Sequence, residues 1–304
     1  MVYTDIIENY RKQGVAEIYL KELDKIRENS EVSPNVVAPD TVFIGKSVLE
    51  KAIVSLLNGN NIILVGNKAS GKNVLADNMA FVFGREPFTM SFNSEMNARD
   101  LIGEFFNDGR EFRDGPIAKC AKLGGFGILD EINMATPGST AVLHSLLDYR
   151  RIVDLPGMNK FKVHDSARFI GTMNYGYLGT KELNEALVSR FQVIVIGEST
   201  KEQISTILLN RFNDLEIEHA NTIALMFCRI QEMARVAELP SKVVDLRGII
   251  DAIKTIRSGL NPYEALLMGV AYKAFNDSDV DLVSSLIRDY YSPNKEYKLF
   301  KGGN

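Results

Sequence analysis

The sequence predicts an α/β fold, a parallel sheet sandwiched by helices, followed by a small all-α domain. Three observations predict it. Short apolar runs bounded by turn residues recur at Ile62–Val65, Phe88–Phe92, Gly127–Leu129, Phe169–Thr172 and Gln192–Ile196. Stretches with helical apolar spacing lie between them, at 47–57, 72–83, 115–123, 137–149 and 181–189. From Thr200 onward only helical spacing remains, through 201–213, 220–237, 246–258, 262–274 and 280–290. Short buried strands alternating with helices imply a parallel sheet with both faces covered.

The elements follow in order. Residues 1–29 carry Ile6, Ile7, Tyr10, Val15, Ile18, Tyr19, Leu23 and Ile26 at roughly the spacing of one amphipathic helix. Ser33-Pro34 and Pro39-Asp40 make the next stretch a linker. The boundaries this suggests are 1–40 for an N-terminal helix and linker, 41–198 for the sheet-bearing core and 199–304 for the helical domain. The first helix reads as a packing arm on the core, with a partner-docking or ring-neighbour element as the alternative.

Bulk composition narrows the function classes. At 45% hydrophobic and 24% charged residues, the chain has the makeup of a globular protein with a core. A net charge of −4 gives no basic field to hold nucleic acid non-specifically. Cys120 and Cys228 stand far apart, without metal or disulfide spacing, which fits a reducing compartment. The N-terminal stretch is mixed polar, unlike a signal peptide, and no apolar run nears the ~18 residues of a membrane span, so the expected location is cytoplasmic.

The chemistry is carried first by Gly66-Asn67-Lys68-Ala69-Ser70-Gly71-Lys72, which fits G-x-x-x-x-G-K. It follows an apolar strand and opens a helix, the context a phosphate-binding loop requires. Glycines let the backbone curl so that its N–H groups face phosphates. The helix N-terminus adds partial positive charge, and Lys72 would reach the β- and γ-phosphates. The binding set is then Gly66, Asn67, Lys68, Ala69, Ser70, Gly71, Lys72, Asn73 and Val74. One position departs from the pattern. Asn73 stands where a Ser or Thr hydroxyl would ligate Mg²⁺, although an amide oxygen is also a hard neutral ligand.

A second constellation is the strand Phe126-Gly127-Ile128-Leu129 ending in Asp130-Glu131. Carboxylates at the carboxyl end of a parallel strand sit where open α/β sheets place ligands. Asp130 would hold Mg²⁺ and Glu131 would polarise an attacking water. A lone acidic pair after a strand often only begins a loop; its pairing with a phosphate loop is what makes it informative.

These two motifs, Gly66–Lys72 and Ile128–Asn133, resemble Walker A and Walker B of the AAA+ P-loop ATPases. Val42-Phe43-Ile44-Gly45-Lys46, Asp100-Leu101-Ile102-Gly103, Asp114-Gly115-Pro116-Ile117 and the Asp-Glu-Ile-Asn form of Walker B are similar to the MoxR-like, dynein-related group, with its helix-2 insert and pre-sensor-1 hairpin. The resemblance spans about residues 40–260. It implies further roles. Asn174, ending Gly171-Thr172-Met173-Asn174, would be sensor 1 at the γ-phosphate. Arg190 in Val188-Ser189-Arg190-Phe191 would be an arginine finger for a neighbouring subunit, where a guanidinium neutralises charge on the transferring phosphoryl. Arg247, after Asp245-Leu246, would be sensor 2 in a lid, although the family has a small residue where Asp245 stands.

The resemblance also implies ATP and Mg²⁺ as ligands, a homo-oligomeric ring expected to be a hexamer, and a protein client or a von Willebrand A-type partner. Two insertions would face substrate: 93–114, with Arg99, Phe105, Phe106, Arg110, Phe112 and Arg113, and the hairpin Arg151–His164 turning at Pro156-Gly157. Packing aromatics would explain them equally well. The alternatives to a MoxR-like chaperone are a nucleic-acid motor of the restriction or helicase type, and a nucleotide-stabilised scaffold with little hydrolysis. Asp277–Asp281 lacks the glycine and terminal Glu of a calcium loop and reads as a helix start, and His144, His164 and His219 lack ligand spacing.

Overall fold

The computed structural model describes residues 1–29, 31–106, 111–153, 160–174 and 183–302. Ser30, Arg110, the Pro156-Gly157 turn and the start of the expected helix at 181 lie outside them. The chain divides into two compact units. The first comprises Met1–Asn67 and Gly71–Ile196; the second comprises Gly197–Asn304, with Lys68–Ser70 assigned to it.

The first unit is built on five parallel strands. They are β1 (Asn61–Gly66), β2 (Pro87–Ser91), β5 (Phe126–Asp130), β8 (Arg168–Asn174) and β9 (Phe191–Ile196), in the order β2-β5-β8-β1-β9. All six residues of β1 are buried, as a central strand of such a sheet demands. Its side chains alternate between two cores. Ile62 and Leu64 join Leu49, Ile53, Leu75 and Met79 of α3 (Lys46–Leu57) and α4 (Lys72–Val82). Ile63 and Val65 join Ile117, Ala121, Leu143 and Leu146 of α6 (Pro116–Leu123) and α7 (Pro137–Leu147) on the opposite face. The result is a helix–sheet–helix sandwich.

Residues 1–29 make two helices rather than one. α1 (Tyr3–Lys12) and α2 (Glu17–Asn29) are separated by a turn in which Gly14 takes φ 81°. Ile6, Ile7 and Tyr10 of α1 and Leu20 and Leu23 of α2 are buried in the same core as α3 and α4. A helix continued through Gly14 would carry this apolar face past the core, so the turn is what lets both helices pack.

Two small hairpins interrupt the sandwich. α5 (Ala98–Ile102) leads into β3 (Gly103–Phe106), which pairs antiparallel with β4 (Glu111–Asp114). β6 (Ile152–Val153) pairs antiparallel with β7 (Phe161–Lys162). Phe105 and Phe112 face each other across the first, with ring centroids 4.9 Å apart in an edge-on arrangement, so these aromatics pack within their hairpin while Phe105 stays about half exposed. α8 (Glu185–Val188) precedes β9.

The second unit is helical: α9 (Lys201–Arg211), α10 (Ile217–Arg235), α11 (Leu246–Arg257), α12 (Pro262–Gly269) and α13 (Asp277–Tyr290) around one apolar core. The periodicity over 262–274 breaks at Gly269, after which a 3₁₀ turn spans Ala271–Ala274. α11 and α12 meet backbone to backbone. A Cβ on Gly248 would lie 2.0 Å from Gly269 O, and one on Gly269 would lie 2.4 Å from Gly248 O. Asn276, whose side chain accepts from Ser278 N–H, caps α13, and the Asp277–Asp281 stretch is its first turn. No helix among the described residues is long and apolar enough to cross a membrane.

Candidate functional site

The parallel strands bring the chemistry-bearing residues to their carboxyl ends. β1 delivers Gly66, and the chain then turns through two left-handed positions, Ala69 at φ 62° and Gly71 at φ 84°. A Cβ on Gly71 would be strained at φ 84° and would come 3.1 Å from the Phe43 ring, which would have to give way by a few tenths of an ångström. Ala69 adopts the left-handed region without glycine's freedom, at a cost of about 1–3 kcal/mol of the kind found at ligand clamps. Ser70, between them, is buried. Gly71 is the N-cap of α4, so the loop opens directly onto a helix N-terminus, where free N–H groups and the helix dipole favour an anion. Lys72, Asn73 and Val74 form the first turn of α4.

Lys72 is 9% exposed, and its ammonium folds back to donate to Gly66 O at 2.9 Å and Asn67 O at 2.8 Å. Burial pushes its pKa down from the usual 10.5 to about 8, against the smaller opposing pull of Asp130 and Glu131.

The acidic end of β5 lies one strand beyond β8 from the phosphate loop. Asp130 is bound through both oxygens. Thr172 Oγ1 of β8 donates to Oδ1 at 2.5 Å, and Asn73 Nδ2 of α4 donates to Oδ2 at 3.2 Å. The Thr172 hydroxyl also accepts from Glu131 N–H at 3.3 Å. Thr172 therefore ties the two acidic residues to the middle strand. Glu131 itself takes φ 54°, a second strained non-glycine position at this edge, and its side chain is exposed. Asn174, the last residue of β8, pairs with Gly66 across the ladder, which sets it beside the start of the phosphate loop.

Two other candidates lie on other elements. Arg190 lies between α8 and β9. Its Nε donates to His144 O at 3.2 Å, its guanidinium donates to Ala186 O, and it stands 3.5 Å from Asp148 Oδ2. Arg247 belongs to the second unit, exposed in the first turn of α11. The unexpected Asp245 beside it is the N-cap of that helix, accepting from Arg247 N–H, and its other oxygen accepts from Lys273 at 2.6 Å. Those bonds hold the Asp245 carboxyl below its ordinary value, although its burial opposes them as the largest single effect.

Sequence reasoning assigned no role to Thr172, a buried hydroxyl in an otherwise apolar strand, or to Asn133, two residues after the acidic pair, whose Oδ1 is buried without a hydrogen-bond partner. A polar residue inside an apolar run is the available signal in both cases.

The donors present fit a magnesium ion. An amide oxygen facing a carboxylate would be repelled, so the Nδ2 end of Asn73 faces Asp130 and Oδ1 is turned away from it. One amide thus separates onto two atoms the donor and ligand roles that a single hydroxyl combines. Among the described residues no cluster of three or more His, Cys, Asp or Glu could hold a metal. One carboxylate, one neutral oxygen, water and substrate phosphates match the way Mg²⁺ is usually bound.

Comparison with known proteins agrees with this geometry. Residues 61–191 match the family model of the AAA domain, dynein-related subfamily. The match runs from the first residue of β1 to the first of β9 and takes in Lys72, Asp130, Glu131 and Asn174. The sheet-bearing part of the chain is thus similar to that AAA domain in sequence, and its phosphate loop and acidic strand end lie within the matched stretch. Among its relatives, the chain is 26% identical over 248 residues to the uncharacterized protein YojN of Bacillus subtilis, covering 79% of this chain and 81% of that one. It is 28% identical to an uncharacterized protein of Staphylococcus epidermidis, covering 68% of this chain and 81% of the relative. It is also 28% identical to one of Staphylococcus saprophyticus, covering 63% and 76% respectively.

Proposed function

We propose that the chain is an ATP-hydrolysing AAA+ ring ATPase of the MoxR-like kind, which remodels or activates a partner macromolecule. The observation that carries the reading is the bond between Asn73 and Asp130, which joins the phosphate loop to the acidic strand end as one site. Lys72 would exchange its bonds to Gly66 O and Asn67 O for the β- and γ-phosphates, while the N–H groups from Asn67 to Val74 cradle them. Asp130 would hold Mg²⁺, and Asn73 would join it through Oδ1 by turning its amide over and giving up the Nδ2 bond to Asp130; the ion would supply positive charge against the charge developing on the phosphates. Thr172 keeps Asp130 aimed, and Glu131, exposed at the strand end, would take the proton of the attacking water. Asn174 would orient that water or the γ-phosphate. Arg190 would serve a neighbouring subunit's nucleotide in a hexameric ring. Arg247 would act as a sensor in the helical domain.

Client recognition would fall to the two hairpins, and a von Willebrand A-type protein is the partner the resemblance suggests. A scaffold that binds nucleotide but turns it over poorly is the second reading, favoured by Asn73 in place of a hydroxyl residue. Steady-state ATP hydrolysis over a range of protein concentrations, with Glu131→Gln as control, separates the two. A per-subunit rate that rises with concentration and drops by about 10²–10⁴ in the variant supports the enzyme. A wild type no faster than Glu131→Gln at every concentration supports the scaffold.

A further inference from the structure

Residues 41–45, just before α3, form neither helix nor strand, yet four of their backbone groups are held by side chains. Asn78 Nδ2 donates to Thr41 O at 2.8 Å, and Phe43 N–H donates to Asn78 Oδ1 at 3.0 Å. Gln13 Nε2 donates to Phe43 O at 2.9 Å, and Gly45 N–H donates to Gln13 Oε1 at 2.8 Å. Two carboxamides thus replace the neighbouring strands that would normally pair such a segment. Asn78 is fully buried inside α4, the helix that the phosphate loop opens. Its Oδ1 also accepts from the Tyr10 hydroxyl of α1 at 3.1 Å, and its Nδ2 donates to Val74 O at 2.8 Å. Gln13 is the C-cap of α1 and is steadied by Asn9 Oδ1 at 2.8 Å.

What the two amides hold in place is Phe43. Its side chain is 6% exposed, and its ring occupies the space beside Gly71 that a Cβ would enter. Gly71 has the broadest backbone freedom of any residue and sits at the junction where the phosphate loop becomes a helix. Every conformation open to it without a ligand must be surrendered on binding, and that entropy is subtracted from affinity. A ring packed against it removes those conformations beforehand.

We propose that Gln13 and Asn78 are positioning residues of the nucleotide site. By fixing Phe43 against Gly71 they make the affinity of the phosphate loop depend on α1 being docked. This rests on the reading of the loop as a nucleotide site. The N-terminal helices then control ligand affinity as well as packing against the core.

The test uses the full chain and its Gln13→Ala, Gln13→Glu and Phe43→Leu variants. ATP and ADP dissociation constants are measured well below the unfolding temperature, with KM, kcat and the thermal midpoint alongside. Gln13→Ala is expected to raise Kd and KM by about tenfold, the equivalent of one well-formed hydrogen bond, with a much smaller change in kcat. Gln13→Glu keeps the acceptor for Gly45 N–H but sets a carboxylate oxygen against Phe43 O and Asn9 Oδ1, and is expected to weaken binding at least as much as Gln13→Ala. Phe43→Leu keeps an apolar side chain without the ring and should weaken binding in the same direction, so the inference remains testable if Gln13→Ala fails to fold. A purely structural role predicts lower midpoints with the wild-type Kd in the folded protein, and that result would overturn the proposal. Absence of ATP binding by the wild type would overturn the nucleotide reading and this inference together; unchanged Kd in the variants overturns this inference alone.

Discussion

Arg190 is held by Asp148 of its own chain. The guanidinium lies 3.5 Å from the carboxylate that caps α7 and also reaches the His144 carbonyl, so it sits at the negative end of that helix. Arg150 competes for the same carboxylate, with Nε 3.1 Å from Asp148 Oδ1. These cationic and backbone donors keep the Asp148 carboxyl below its ordinary pKa, the Arg150 backbone bond first among them.

An arginine that acts on a neighbour's nucleotide must leave some of these partners. Arg190→Ala is expected to lower the assembled ATPase rate by about 10³-fold with nucleotide affinity unchanged. Asp148→Asn is expected to raise that rate, since it weakens the competing pair while leaving Arg190 in place. Rates at low and high protein concentration check both; an Arg190→Ala variant as active as wild type at high concentration would exclude the trans role.

Lys72 makes nucleotide binding pH-dependent. Its folded pKa, about 8, lies below the usual 10.5, so between these values the unfolded chain binds more protons. Stability therefore rises with pH across that window as the buried charge is lost. Affinity for polyphosphate moves the opposite way, because binding needs the ammonium. Titrations above pH 8 should show weaker binding and proton uptake, read as a binding enthalpy that varies with the ionisation enthalpy of the buffer. Lys72→Met should abolish both effects.

Thr172→Val keeps the shape of β8 but removes the donor at 2.5 Å from Asp130 and the acceptor for Glu131 N–H. Leaving those groups unpaired costs about 1–3 kcal/mol where they are buried. The expected result is a kcat lowered by about tenfold or more, with a smaller change in ATP affinity. Steady-state kinetics under a magnesium titration checks it, and an unchanged kcat would remove Thr172 from the site.

Gly248→Ala tests the helical unit. The added Cβ would meet Gly269 O at 2.0 Å, so α11 and α12 must separate. Overpacking of this kind costs about 1–3 kcal/mol. A lowered thermal midpoint is expected, and Gly259→Ala, which meets no atom within 4 Å but has φ 103°, reports the backbone part of such a cost separately.

The strands and the phosphate loop were legible because their signals are local. Gly66 to Lys72 is one continuous motif, and the run from Phe126 to Asp130 ends where its apolar residues end. The turn at Gly14 was not, since a single glycine costs a helix only about 1 kcal/mol and leaves the apolar spacing around it intact. The bonds that complete the site were hidden for a different reason. Thr172 is 42 residues from Asp130, and Gln13 is 30 from Phe43, so nothing in either neighbourhood marks the partner. Polar residues at helix ends and in strands have many bland uses, and only the fold selects one.

The sheet order has a consequence for how the protein is made. The strand that carries the phosphate loop is synthesised early, yet Ile62 pairs only with Ile170 of β8 and Gln192 of β9. A nascent chain leaving the ribosome therefore holds a finished loop sequence with no strand to anchor it until translation has passed Asn174 at the end of β8. Such non-local pairing slows folding and leaves apolar strands such as Ile62–Val65 exposed in the interval. Nucleotide would find an anchored loop only after β8 has paired with β1, so it can reward that stage of folding but cannot nucleate it.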